Sequence, residues 1–177
     1  MQKTKQLILA SLFLSLGLVL PFLTMQVPEI GNMLLPMHLP VMICGFICGP
    51  YYGLLVGFIT PLLRSALFTM PVMVPNALCM AFELATYGMV TGFLYRFLKH
   101  SKFKIYISLL VSMIVGRIIW GIVGIIIYGF KETAFTFQMF MAGALLNAIP
   151  GIILQLILIP LLIYSLEKAG VMNIEHR

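Results

Sequence analysis

The chain has 177 residues, of which 62% are hydrophobic and 9% are charged, and it contains no aspartate. A soluble domain of this length could not hide so much apolar surface, so the composition indicates an integral membrane protein. The net charge of +6 does not indicate a nucleic-acid partner, because the basic residues are divided among short segments between apolar runs. The cysteines Cys44, Cys48 and Cys79 lack zinc-finger or disulfide spacing and are expected to be small packing residues.

Apolar stretches of helical length predict an all-α bundle of six transmembrane helices, with residues 1–177 forming a single membrane domain. The first stretch follows Lys3 and Lys5 and is too long for a typical signal-peptide core, so we interpret it as a retained helix. Helix six contains Pro150 and Pro160, which are expected to bend it. The predicted helices are Leu7–Leu23, Met37–Cys48, Tyr51–Phe68, Pro75–Leu98, Ile105–Tyr128 and Phe137–Leu166.

Glycines recur every four residues across the predicted hairpin of helices two and three, at Gly45, Gly49, Gly53 and Gly57. Gly49-Pro50 ends helix two, so these glycines cannot line one continuous helix. They are expected to allow a tight turn and a close contact between helices.

The basic residues also indicate an orientation, because cytoplasmic loops of membrane proteins carry an excess of lysine and arginine. If the N terminus is inside, the outside loops hold only Lys131. The inside segments then hold Lys3, Lys5, Arg96, Lys99, Lys102, Lys104, Lys168 and Arg177. This asymmetry predicts N-in and C-in topology in a multi-pass membrane protein.

Helix four carries one acid, Glu83, at membrane depth, where a carboxylate is costly and is expected to have a partner and a purpose. Asn76, Met80 and Tyr87 share its helical face. A neighbouring stripe of small residues allows another backbone to approach closely. Its members are Ala77, Ala81, Ala85, Gly88 and Gly92.

Polar groups of four helices are predicted to lie in the outer half of the membrane, which favours an outward-facing pocket over a continuous pore. Two arginines, Arg64 and Arg117, and one acid, Glu83, give this region a net charge of +1. Trp120 shares a face of helix five with Arg117 and could form an aromatic wall of the pocket. The predicted substrate-binding residues are Arg64, Glu83, Arg117, Asn147, Trp120, Asn76, His38 and Tyr87.

Each of these residues also has a structural alternative. Glu83 could pair with Arg64 or Arg117 to stabilise the fold alone. Trp120 could lie in the core or face lipid, and His38 could be an interfacial residue. Asn147 could form a hydrogen bond between helices.

Two segments resemble the substrate-binding S component of an energy-coupling factor (ECF) vitamin transporter, in the branch of pantothenate-type and hydroxymethylpyrimidine- or pyridoxine-type members. The resemblance covers Lys3–Lys168 and includes size, six spans and a small-residue patch on helix one. The segments are LLPMHLPVMICGFICGPYYGLLVGFITPLLRSALFTMPVMVP (Leu34–Pro75) and AFELATYG (Ala81–Gly88).

The resemblance implies a protein of a bacterial cell membrane that binds a vitamin at its outer side, under lids formed by Thr24–Pro36 and Thr69–Pro75. It also implies docking onto a transmembrane coupling subunit that carries two ATPases, followed by tipping in the membrane and release inside. The family's helix-one motif uses alanines, and the matching patch here is Ala10, Ser11 and Ser15. The chain lacks a GxxxxGK[ST] loop, so ATP and Mg²⁺ are expected to be used by partners and no cofactor by this chain.

Two other function classes remain as alternatives. An intramembrane enzyme is disfavoured because HExxH, GxSxG and aspartate are absent. A small ion-coupled carrier or channel predicts transport without ATP. Among vitamins, the +1 pocket favours a carboxylate such as pantothenate. A pyridoxine- or hydroxymethylpyrimidine-type ligand is the alternative, with Glu83 accepting its hydrogen bonds.

Overall fold

Six α-helices make up most of the described chain, as predicted. The computed structural model describes residues 2–24, 33–98, 101, 103–130, 141 and 148–169. The helices, numbered in chain order, are α1 Gln2–Val19, α2 His38–Cys48, α3 Pro50–Phe68, α4 Leu78–Phe97, α5 Lys104–Phe130 and α6 Ile149–Lys168.

Within the described residues, five segments are long and apolar enough to cross a membrane, and α2 is too short. It has 11 residues, which is about 16 Å at 1.5 Å per residue, whereas the hydrocarbon core is about 30 Å thick. Its side chains are nonetheless among the most buried of the protein, since Val41, Met42 and Cys44 have no exposed surface. The short helix therefore fills the interior of the bundle.

Helix α4 is the centre of the packing. It contacts α2, α3 and α5, while α1 packs against α2 and α3, and α6 packs against α2 and α5. Helix α5 turns an isoleucine-rich face outward, as expected of a lipid-facing surface. That face includes Ile114, Ile118, Ile122 and Ile125.

Glycines set the close spacing of the central helices, which confirms the prediction from the four-residue spacing. A Cβ built at Gly53 would lie 2.5 Å from the carbonyl oxygen of Gly88, and one built at Gly45 would also collide with that oxygen. Real Cβ atoms do not approach so closely, so larger residues would force the backbones apart. Gly49 has φ of 92° and ends α2 under the guanidinium of Arg96.

Several predicted helix boundaries differ from the structure, and α1 begins at Gln2 instead of Leu7. Met73–Ala77 is a π-helical turn with Val74 in an extended conformation, so α4 begins at Leu78 instead of Pro75. Ala148 is a turn residue, so the continuous helix expected from Phe137 is wrong at this point. Pro150 consequently occupies the first turn of α6, where its missing N–H has no helical partner to lose. Pro160 does lie inside the helix.

Contacts between distant residues identify the two ends of the bundle. At one end, Arg96 of α4 covers the α2–α3 turn, and Lys104 of α5 forms an ion pair with Glu167 of α6. At the other, Leu18 of α1 meets Arg64 of α3. The first end holds the segments predicted to be cytoplasmic, and the second holds those predicted to be outside.

Candidate functional site

Glu83 is the centre of a buried polar cluster built from α2, α4 and α5. Its carboxylate lies 2.9 Å from Nη1 of Arg117, and the Tyr87 hydroxyl donates a hydrogen bond of 3.0 Å to the same oxygen, Oε1. Glu83 is 2% exposed and Arg117 is 13% exposed. Arg117 is therefore the partner expected for an acid at this depth, and the net formal charge of the pair is zero.

His38, the first residue of α2, is the polar side chain of the cluster that lacks hydrogen bonds. It is 1% exposed, and neither ring nitrogen has a hydrogen-bond partner in the described part of the chain. Its Nε2 is 3.8 Å from Oε1 of Glu83, which is beyond hydrogen-bond distance. Because His38 is buried, it is not the interfacial residue that was the alternative interpretation. An imidazole can donate and accept hydrogen bonds, and leaving these groups unsatisfied in a buried site costs free energy.

Tyr87 joins the cluster because α5 leaves room for its ring. The ring lies 5.3 Å from that of His38, centroid to centroid. Its other side rests on Gly116, where a Cβ would collide with the ring carbons. Gly116 was not among the predicted site residues. The sequence signal for Gly116 was its position next to Arg117, because glycines in membrane helices allow a neighbouring helix or side chain to pack closely.

Arg64 has partners of a different kind, although it was grouped with Glu83 by depth. Its guanidinium donates a hydrogen bond to the carbonyl oxygen of Leu18 and lies against the rings of Phe22 and Phe68. Neither acid in the described ranges, Glu83 nor Glu167, forms an ion pair with it. Depth in the membrane does not determine the direction in which a side chain points. The rotation of α3 about its axis directs Arg64 towards α1.

The other predicted site residues are placed less centrally. Asn76 is exposed in the π-helical turn before α4, and Trp120 is half-buried one turn beyond Arg117 on α5. Asn147 lies outside the described residues. Their proposed contacts with a ligand stay predictions.

The predicted docking patch on α1 is divided between two faces. Ala10 is 5% exposed and belongs to the hydrophobic core. Ser11 and Ser15 are exposed, and each hydroxyl donates to the carbonyl oxygen four residues earlier, at 2.9 and 3.0 Å. Because these hydroxyls are bonded within the helix, the outward serine surface is small and needs no polar partner.

A second polar cluster at the opposite end was missed by the sequence reasoning. Lys104 Nζ lies 2.8 Å from Oε1 of Glu167, and the Tyr95 hydroxyl donates to the same carboxylate. Lys104 also lies 4.5 Å from the centroid of the Tyr95 ring. The three residues tie α4, α5 and α6 together. The topology prediction contained the signal, since it places Glu167 among the cytoplasmic lysines.

The sequence matches a known family of membrane transport proteins over most of its length. The family described as "ECF transporter, substrate-specific component" matches residues 5–163. No curated protein and no solved structure matches the chain. The match covers most of the chain and agrees with a bundle that contains several membrane-spanning helices. The chain therefore belongs to the substrate-specific components of ECF transporters, which makes it a multi-pass cell-membrane subunit that binds a small molecule for a transport complex.

Proposed function

We propose that this subunit binds a small water-soluble vitamin at the outer end of the bundle and delivers it for ATP-driven uptake. The observation that carries the proposal is the buried cluster of Glu83, Arg117, Tyr87 and His38. Neither ring nitrogen of its histidine has a hydrogen-bond partner among the described residues, and Nε2 lies 3.8 Å from Oε1 of Glu83. A polar ligand would supply the missing hydrogen bonds, and the apolar surroundings would strengthen them.

The charge of the cluster supports a neutral ligand. The sequence favoured pantothenate because two arginines faced one glutamate. In the structure, Arg64 contacts α1, while Arg117 is paired with Glu83. The remaining polar groups suit a pyridoxine- or hydroxymethylpyrimidine-type vitamin, with hydrogen bonds to His38 and Glu83. Pantothenate is the second candidate, and its carboxylate would have to compete with Glu83 for Arg117.

The rest of the proposed mechanism depends on partners. A transmembrane coupling subunit and two ATPase subunits, which use ATP and Mg²⁺, would supply the energy. Ser11 and Ser15 are the exposed small residues of α1 on which the coupling subunit would dock, because small side chains permit close helix packing in a membrane.

Thermal unfolding of the purified chain with a panel of B vitamins tests the ligand. A ligand present at about 100 times its Kd adds about 2.7 kcal/mol to the free energy of unfolding. We expect pyridoxine- or hydroxymethylpyrimidine-type compounds to raise the Tm and His38→Phe to remove the shift. Thr91→Val is the matched control, since it alters another buried side chain with an unpartnered oxygen, one turn beyond Tyr87 on α4.

Uptake measurements test the transport role. We expect labelled vitamin to enter cells only when the coupling subunit and ATPases are present. Equal uptake in cells that lack the ATPases would contradict the proposal and favour an ion-coupled carrier. A Tm shift with pantothenate alone would reject the neutral ligand and leave the vitamin-binding role intact.

A further inference from the structure

Arg64 is a buried cation that is stabilised by aromatic rings and a carbonyl oxygen. The residue is 3% exposed. Its Cζ lies 5.1 Å from the centroid of the Phe22 ring and 5.4 Å from that of the Phe68 ring. The two rings meet edge to face, with centroids 5.0 Å apart. The guanidinium thus sits in a cage formed by Phe22, Phe68 and the carbonyl of Leu18, which we call the Arg64 cage.

The chemistry of this cage suits arginine and not lysine. A guanidinium is planar and weakly hydrated, so it can lie against aromatic faces and still donate hydrogen bonds. A cation–π contact becomes stronger where the neighbouring groups exclude water from the cation. The carbonyl of Leu18 belongs to the last turn of α1, where carbonyl groups lack helical partners and a nearby cation is favourable.

The cage connects segments that are distant in the sequence. Arg64 and Leu18 are 46 residues apart. Phe22 belongs to the 3₁₀ turn Leu20–Thr24 after α1, and Phe68 is the last residue of α3. The chain then passes through Thr69 and the turn Met73–Ala77 into α4, which carries Glu83. The end of α1 is therefore fixed to the segment that leads to the polar cluster.

We propose that Arg64 is a positioning residue that locks the end of α1 to the end of α3, so that the docking helix and the entry to α4 move as one body. The docking part of this inference rests on the proposed function. The lock itself rests on the contacts that Arg64 makes with Leu18, Phe22 and Phe68. It also rests on the burial of Arg64, which has no carboxylate partner in the described ranges.

Distance measurements between spin labels test the lock without reference to transport. Labels at Val19→Cys and Leu67→Cys report the two helix ends, because both positions are well exposed. We expect Arg64→Gln to lengthen and widen the distance distribution. Arg64→Lys should not restore it, because an ammonium cannot replace the planar group. Lys5→Gln, which removes an exposed cation from α1, should leave the distribution unchanged.

If the arginine variants do not fold, the variant Phe22→Leu provides a second test of the lock. It removes one ring of the cage and should widen the same distribution, whereas Leu12→Ala, at an exposed position on α1, should not. A distribution that stays the same in both Phe22→Leu and the Arg64 variants that fold would overturn the proposal.

The functional consequence is a separation of binding from uptake. With partner subunits present, Phe22→Leu should lower the uptake rate by about tenfold, which corresponds to about 1.4 kcal/mol and suits one partly desolvated cation–π contact. The Kd of the isolated chain for its vitamin should stay within about twofold. Unchanged uptake despite widened distances would overturn the coupling between α1 and α4. If the parent chain neither binds nor takes up a vitamin, the proposed function fails, and the distance measurement still decides the lock.

Discussion

At the scale of single residues, the decisive feature is how the buried charges are paired. Glu83 lies 2.9 Å from Arg117 and accepts a hydrogen bond from Tyr87. A buried pair of this kind does not by itself add much stability, but a charge left without its partner in such a place is strongly destabilising. Pairing therefore constrains which substitutions the site tolerates.

Glu83→Gln is expected to lower the free energy of unfolding by about 3–5 kcal/mol, because it leaves Arg117 buried and unpaired. Denaturant unfolding of the purified chain would measure this. The double variant Glu83→Gln with Arg117→Met removes both charges and should recover most of the loss, yet still fail to bind the vitamin. If Glu83→Gln alone is as stable as the parent, the pair does not hold the cluster.

At the scale of elements, the contact between α3 and α4 depends on glycine. Gly53 and Gly88 face each other so closely that neither position accommodates a Cβ without backbone movement. The same contact places α4, and with it Glu83, against the hairpin of α2 and α3. The position of His38 relative to Glu83 thus depends on residues that touch neither side chain.

Gly53→Ala should reduce the free energy of unfolding by about 1–3 kcal/mol, the usual cost of overpacking a close contact. It should also weaken vitamin binding, because α4 moves relative to α2. Gly129→Ala in α5 is the matched control, since a Cβ there meets nothing within 4 Å. Thermal unfolding of the two variants side by side measures the difference, and an equal Tm would contradict the role assigned to the Gly53 contact.

At the scale of the whole molecule, the two ends of the bundle differ in chemistry. One end is closed by Tyr95, Lys104 and Glu167, which join α4, α5 and α6. Toward the other end, His38 begins α2 and α4 brings Glu83 to it. If the N terminus lies in the cytoplasm, as the distribution of lysine and arginine predicts, the end with Lys104 and Glu167 faces inward and the candidate site faces outward.

This orientation predicts the accessibility of cysteines placed in two segments that the sequence predicts to be loops. Lys131→Cys should react with a membrane-impermeant maleimide in intact cells, whereas Lys102→Cys should react only after permeabilisation. The parent chain should give little background, because Cys44, Cys48 and Cys79 are buried. Reaction of Lys102→Cys in intact cells would reverse the assigned orientation.

The sequence by itself determined the helical membrane class and the glycine-mediated contact. It also determined that Glu83 needed a partner. These features depend on composition, periodicity and the cost of a charge in an apolar medium, all of which are local. The spacing of polar residues along the helices also placed Glu83 and Tyr87 on one face, as the structure confirms.

Only the tertiary structure decided which arginine pairs with Glu83 and which residues of helix one face outward. Arg64 and Arg117 carry the same charge and were both predicted to lie in the outer half of the membrane, yet helix rotation directs Arg64 to Leu18 and Arg117 to Glu83. Ala10 and Ser11 are adjacent in sequence, yet one is buried and the other exposed. Rotation and packing angle arise from contacts between helices, and no local pattern in one helix specifies them.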